Sequence, residues 1–216
     1  MKRLMLMAAL CVAPLGCVSN QGDGSIRFIN AFSVTACAPD TSTFLSQGTL
    51  YWRGEGQDNY RLAMGVETNN TAQVIDVQGE TLSSGVGLQD FNLEELIYSY
   101  VVINSEGEED DEALEEETIA IHAVFRPGTT VDRSYLSMEA FGPKAVSALG
   151  ELAGGLGPDE SLTVLATIKA RGHLGAGGFA VESNEFTFPI TVYGPGQCSA
   201  VAGGACYPGQ NATCTP

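Results

Sequence analysis

Cysteine, histidine and clustered carboxylate are the side chains of this 216-residue chain that could do chemistry, and their spacing limits what that chemistry can be. The cysteines are Cys11, Cys17, Cys37, Cys198, Cys206 and Cys214. None falls at Cys-x-x-Cys spacing, which argues against a zinc ribbon and against a thioredoxin-like redox motif. The two histidines are His122 and His173. A nucleophilic site needs such a base within hydrogen-bond reach of a serine or cysteine. No Gly-x-Ser-x-Gly elbow fixes a pair of that kind, so both read as ordinary histidines. With 26 acidic residues in the chain, chance supplies carboxylate pairs anywhere, and a glycosidase-type pair has no weight alone. Gly85-Val86-Gly87 and Gly175-Ala176-Gly177-Gly178 carry no lysine and lack the strand-to-helix setting of a phosphate loop, so they read as turns. No catalytic residue, metal or cofactor is expected.

The most unusual local feature is residues 106–117, nine of which are Asp or Glu. Calcium is the chemistry that many carboxylates could serve, since it takes six to eight oxygen ligands. The run lacks the alternating order of an EF-hand loop, and strands rather than helices flank it. Blocks of like charge repel and stay solvated. The expectation is a mobile hairpin tip that the fold can lose at the cost of only a few degrees of melting temperature.

The start of the chain says where these groups would sit. Lys2 and Arg3 precede ten apolar residues, 4–13, followed by Pro14, Leu15, Gly16 and Cys17. A basic start, a short apolar core and a small residue before the cut describe a secretory signal. Ten residues are too few to span a bilayer, which takes about 20. Leu15-Gly16-Cys17 resembles the end of a bacterial lipobox, with Pro14 where that family usually has leucine. The resemblance implies that residues 1–16 are removed and that Cys17 is acylated. Val18 in place of Asp then implies sorting to the outer membrane. Residues 17–25 form the acylated cysteine and a polar, glycine-containing tether.

Loss of Lys2 and Arg3 leaves 26 acidic residues against 8 basic, a net charge of −18. That excess argues against nucleic acid, whose phosphates require a basic footprint. It also argues against docking on anionic lipid by charge, so the membrane is reached through the lipid anchor. In an exported chain, Cys37, Cys198, Cys206 and Cys214 read as two disulfides with three possible connectivities. Cys37 with Cys198 is favoured because each follows a terminal strand and chain termini commonly lie close. Cys206 with Cys214 is favoured because Pro208-Gly209 between them can reverse the chain.

From Ile26 the apolar period is two. Strands are expected around 26–31, 49–53, 59–68, 73–77, 96–103, 118–125, 135–141, 162–170 and 186–192. Residues 59–68 alternate strictly, as a half-buried antiparallel strand does. Pro189 places the last strand at an edge or a bulge. Pro143, the apolar residues Ala145, Val146, Leu149 and Leu152, and Gly154-Gly155 describe one short helix. Residues 194–216 have almost no core residues and are expected to hold shape only through disulfides. The whole reads as an all-β, antiparallel immunoglobulin-like sandwich of about nine strands over residues 26–193, with a disulfide-stapled tail over 194–216. A closed barrel is the runner-up.

Past the lipobox the layout resembles the uncharacterised outer-membrane lipoproteins of myxobacterial type. Gln47-Gly48-Thr49-Leu50, Asn59-Tyr60, the stretch 181–190 and the ending Cys206-Tyr207-Pro208-Gly209-Gln210 carry that resemblance. It implies a β-rich envelope protein and supplies no reaction. In such a protein the glycosylation sequons at Asn69 and Asn211 are idle. The functional expectation is a lipid-anchored envelope protein with a structural or binding role, not an enzyme, whose partner would be another envelope protein. The alternative is a secreted hydrolase with a site assembled from separated loops.

Overall fold

The computed structural model describes residues 25–54, 59–70, 74–77, 80–83, 89–131, 134–175, 180–197, 207 and 209–212. Among these residues, thirteen strands and one helix run in the order β1 Ile26–Thr35, β2 Ala38–Leu45, β3 Gly48–Tyr51, β4 Arg61–Thr68, β5 Val74–Val77, β6 Glu80–Ser83, β7 Phe91–Ile103, β8 Glu109–Asp110, β9 Glu117–Phe125, β10 Tyr135–Glu139, α1 Pro143–Gly154, β11 Ser161–Leu174, β12 Ala180–Glu182 and β13 Phe186–Tyr193. The protein is mostly β-strand, as its alternating pattern requires. One sheet has the order β10-β4-β1-β2. The larger sheet runs β3-β13-β11-β7, with β8 and β9 sharing the far edge of β7, and β12 added beside β11. β5 and β6 form a separate pair.

Apolar residues from both sheets and the helix meet in one core. Phe28, Leu62, Met64 and Val66 of the smaller sheet join Leu93, Tyr98, Val164, Ile168 and Ile190 of the larger one. β11 shows the reason most plainly. Leu162, Val164, Ala166, Ile168 and Ala170 are all buried, while the residues between them stay half-exposed. Period two thus puts one face of the strand in the core.

Four expectations need correction. The larger sheet is mixed, because β3 pairs with β13 in parallel from Gly48↔Ile190 to Tyr51↔Tyr193. β13 is therefore interior. Pro189 lies just before the β3 ladder begins, so the missing N–H falls beyond the end of that pairing. β4 is buried on both faces, not one. It lies between β10 and β1, and its Ala63 joins Phe32 and Val34 in a second apolar cluster opposite the main core. β2 has no counterpart among the expected strands. Its sequence, Ala-Pro-Asp-Thr-Ser-Thr-Phe-Leu, is poor in strand formers, and as an edge strand it is mostly exposed. Finally, β11 continues to Leu174 through what reads as a glycine loop. At Gly172 the register against β7 shifts, and a Cβ there would overlap the Asn92 carbonyl, so only glycine allows the strands to approach so closely.

The helix occupies its expected span. Pro143 opens it, and Ala145, Leu149 and Ala153 face the core. Gly150 admits the edge of the Trp52 indole. Leu152, expected inward, is 37% exposed and faces the recess described below. Among the described residues no helix is long and apolar enough to cross a membrane.

Candidate functional site

The acidic run is built into the fold. Asn104 organises its entry, with Oδ1 accepting hydrogen bonds from the backbone N–H groups of Glu106 and Glu108, each at 2.9 Å. Glu109 and Asp110 then pair with the end of β7 as β8. Leu114 enters the core at 2% exposure. Glu117, the last carboxylate, is buried and caps the helix from a distance. Its Oε1 accepts from the Ala145 N–H at 2.9 Å and its Oε2 from the Lys144 N–H at 3.1 Å. The first N–H groups of a helix have no partner within it, and the helix dipole favours an anion at that end. Gly142, the residue before the helix, has no side chain to cap with, so Glu117 supplies the missing acceptor. The Tyr100 hydroxyl accepts from the Gly142 N–H at 3.0 Å and completes the cap. Glu115 adds an exposed ion pair with Lys144 at 2.9 Å. The expected mobile hairpin tip is therefore overturned by one buried leucine and one buried carboxylate.

Between this segment and the end of α1 lies a recess of about 490 Å³. Val102, Ala113, Leu152, Leu156 and Leu162 supply its apolar lining. Glu108, Glu109, Asp110 and Glu160 supply carboxylates, with Asn104, Ser105 and Ser161 between them. Glu108 accepts from Asn104 Nδ2 at 3.0 Å, Asp110 from the Glu112 N–H at 2.9 Å and Glu160 from the Gly157 N–H at 2.8 Å. None of these carboxylates is ion-paired with a described residue, and among the described residues no histidine or thiol lines the space. The volume is in the range of small-molecule pockets. An anionic rim over apolar side chains can hold an amphipathic cation, and neither Ser105 nor Ser161 is hydrogen-bonded to a carboxylate of the lining. No group of three or more His, Cys, Asp or Glu that could hold a metal occurs among the described residues.

The histidines lie elsewhere, on the outer face of the larger sheet. His122 is exposed on β9. His173, expected in a glycine loop, is on β11 between Asn92 of β7 and Ala180 of β12. Its Nδ1 is 2.8 Å from Glu94 Oε2. Beside it Arg171 pairs with Glu95, its Nε donating at 2.6 Å, and Lys169 pairs with Glu182 and Glu185 at 3.2 and 3.6 Å. The hydrogen bond it donates to Glu182 holds the Lys169 ammonium protonated above its usual range. Neither cross-strand neighbour of His173 is a nucleophile. This is a ladder of cross-strand ion pairs of the kind that stabilises an exposed sheet face.

Among the cysteines, Cys37 alone is described. It sits in the two-residue turn between β1 and β2, where Ala36 and Cys37 both have positive φ, 50° and 62°. Hairpins of this length favour positive φ at both turn residues, a conformation non-glycine residues adopt at some cost. Cys37 is disulfide-bonded, with its partner outside the described residues. Cys17, Cys198, Cys206 and Cys214 also lie outside them, as do Gly85, Gly87 and residues 176–179.

The described part of the tail is held by hydrogen bonds that the sequence did not announce. The Gly209 carbonyl accepts from the Tyr51 N–H at 3.1 Å, and the Asn211 N–H donates to the Thr49 carbonyl at 2.8 Å, so these residues cover the free edge of β3. Gln210, 1% exposed, uses its side-chain amide as a strand would use its backbone. It accepts from the Arg61 N–H at 3.1 Å and donates to the Arg61 carbonyl at 2.9 Å. Asn211 exchanges hydrogen bonds with the Tyr60 hydroxyl. Tyr207 donates to Glu139, which also accepts from Asn59 at 2.9 Å. A glutamine and an asparagine in a glycine-rich stretch carry no periodic signal, so this clasp was invisible beforehand.

No family model, no curated protein and no solved structure matches this chain.

Proposed function

We propose that the protein is a lipid-anchored envelope protein of the outer membrane with a non-catalytic role in binding or architecture. The lipobox-like Leu15-Gly16-Cys17 supports the anchor. The observation that carries the non-catalytic reading is the separation of the two sets of groups. The serines of the recess, Ser105 and Ser161, share no hydrogen bond with its carboxylates, and the His173–Glu94 pair stands on an open sheet face beside Asn92 and Ala180. A hydrolase would need base and nucleophile within hydrogen-bond reach in one concave site. The immunoglobulin-like arrangement of the two sheets and the pairing of Cys37 with Cys198 and Cys206 with Cys214 belong to the same proposal. An oxidising envelope compartment sustains such bonds.

Cys17→Ser tests the anchor. The original protein should fractionate with membranes, and its N-terminal peptide should carry the mass of a multiply acylated cysteine. The substituted protein should be soluble or remain as precursor. Identical fractionation of the two would contradict the proposal.

A further inference from the structure

We infer that the recess between the acidic segment and the end of α1 is a binding site for a small amphipathic cation, an organic ammonium carried on an apolar arm. The inference deepens the binding role proposed above and rests on it. The shape of the recess, its apolar lining and its charge each bear on the ligand separately.

The shape is that of a formed pocket, because hydrogen bonds fix both walls without a ligand. On one side the Asn104 N–H donates to the Glu108 carbonyl and the Gly107 N–H to the Asn104 carbonyl, each at 3.0 Å, which closes residues 104–108 into a tight loop. On the other side the Gln197 side-chain amide donates to the carbonyls of Gly157 and Glu160, both at 2.7 Å, and pins the loop that follows the helix. A preformed site avoids the ordering cost that weakens binding to mobile loops.

The lining is apolar where it is deepest. Val102 and Leu162, on neighbouring strands β7 and β11, are 6% and 5% exposed and make the floor. Leu152 and Leu156 make the wall beside α1. The buried residues of that helix are Ala145, Leu149 and Ala153, whereas Leu152, one position before the last of them, stays in water over the hollow. This is apolar surface that a ligand's hydrocarbon arm would remove from water.

The charge sets the sign of the ligand. Glu108, Glu109 and Asp110 stand on one wall and Glu160 on the other, and no basic residue lines the space between them among the described residues. The Glu109 side chain makes no hydrogen bond with a described residue and is available to a donor. A second source of negative potential faces the same space. The C-terminal end of α1 lies here, where the helix dipole favours a cation, and the last turn of the helix contains no basic residue. No three of the carboxylates come together as metal ligands would, so the charge is spread around the rim of an apolar hollow. An ammonium with its three donors at the rim and its apolar arm on the floor satisfies both parts. A compact hydrated ion would gain nothing from the leucines, and a neutral or anionic molecule of the same shape would forgo the charge.

The test uses the full chain as purified from the producing cell, labelled with nitrogen-15 and held in neutral detergent. The probe is phenethylammonium, compared with its isosteres 2-phenylethanol and 3-phenylpropionate. The ammonium should shift the amides of residues 104–110, 152–156 and 161–162 saturably. The alcohol should bind at least about fivefold more weakly, and the carboxylate more weakly still. Glu109→Gln and Glu160→Gln should each weaken the ammonium by about two- to fivefold and leave the alcohol unchanged. Leu152→Ala should weaken both. Leu152→Lys puts a tethered ammonium into the recess, at a helix end that favours one, and should abolish binding of the probe. Unchanged amide shifts in β4 and β13 check that each variant is folded, and the two Gln variants carry the test if a Leu152 variant is not. No saturable shift, shifts centred elsewhere, equal affinity for alcohol and ammonium, or indifference to both Gln substitutions would overturn the inference. Those results would leave the anchor standing, because the fractionation of Cys17→Ser decides it separately.

Discussion

The acidic segment 106–117 and the tail residues 207 and 209–212 are both poor in core residues, and the fold ties each down by opposite means. The acidic segment is held by one apolar side chain, Leu114, and one carboxylate, Glu117, aimed at the N-terminus of α1. The tail is held by neutral amides, with Gln210 on the backbone of Arg61 and Asn211 on Thr49 and Tyr60. The first attachment combines burial with charge; the second is hydrogen bonding throughout. Composition alone therefore misjudges both segments, because a single well-placed residue decides whether a polar stretch is ordered.

The largest effect should come from removing both anchors of the acidic segment together. Replacing residues 106–117 by a Gly-Ser link deletes a buried leucine, which typically costs about 2–5 kcal/mol, and a helix cap, which costs about 1–2 kcal/mol. At about 2–4 °C per kcal/mol for a chain of this size, the melting temperature should fall by about 10 °C or more. A fall of only a degree or two would mean that the segment is an appendage after all. Truncating the tail anchor comes next. Gln210→Ala leaves the N–H and carbonyl of half-buried Arg61 without their partner and should cost about 1–3 kcal/mol. The loss should be the same at low and high salt, because no charge is involved.

The strands that read clearly in the sequence are those whose side chains obey one face. β11 and β9 are examples, with Ile119, Ile121 and Ala123 turned toward the core as their spacing required. The helix was equally legible, since Pro143 and the apolar spacing are local signals. What stayed hidden depends on partners distant in sequence. Glu117 looks like one carboxylate among nine until Lys144 and Ala145 come within reach. β2 forms because β1 offers it an edge, not because its residues favour strand. The recess is assembled from the end of β7, the acidic segment and the end of α1, three stretches with no common pattern.

A smaller effect separates the two attachments by pH. The Tyr100 hydroxyl accepts from the Gly142 N–H at the helix start, and the Tyr98 hydroxyl donates to the Glu139 carbonyl beside the Tyr207 contact. Burial, above all, holds both phenols well above their ordinary value of 10.0. Unfolding exposes them and lets them ionise near 10.0, so their contribution is fully present below that pH and is lost as pH rises above it. Alkaline titration of the melting temperature should therefore fall more steeply above pH 10 for the original protein than for Tyr98→Phe or Tyr100→Phe. Equal slopes would show that these phenols are not held protonated by the fold.

Amide hydrogen exchange at Lys144 and Ala145 tests most directly whether the acidic segment is part of the fold through Glu117. In the original protein both amides should exchange slowly, protected by the Glu117 carboxylate. Glu117→Ala should accelerate them by at least tenfold while the Arg61 amide, held by Gln210, stays protected; Gln210→Ala should do the reverse. Unchanged protection of Lys144 and Ala145 in Glu117→Ala would contradict the account.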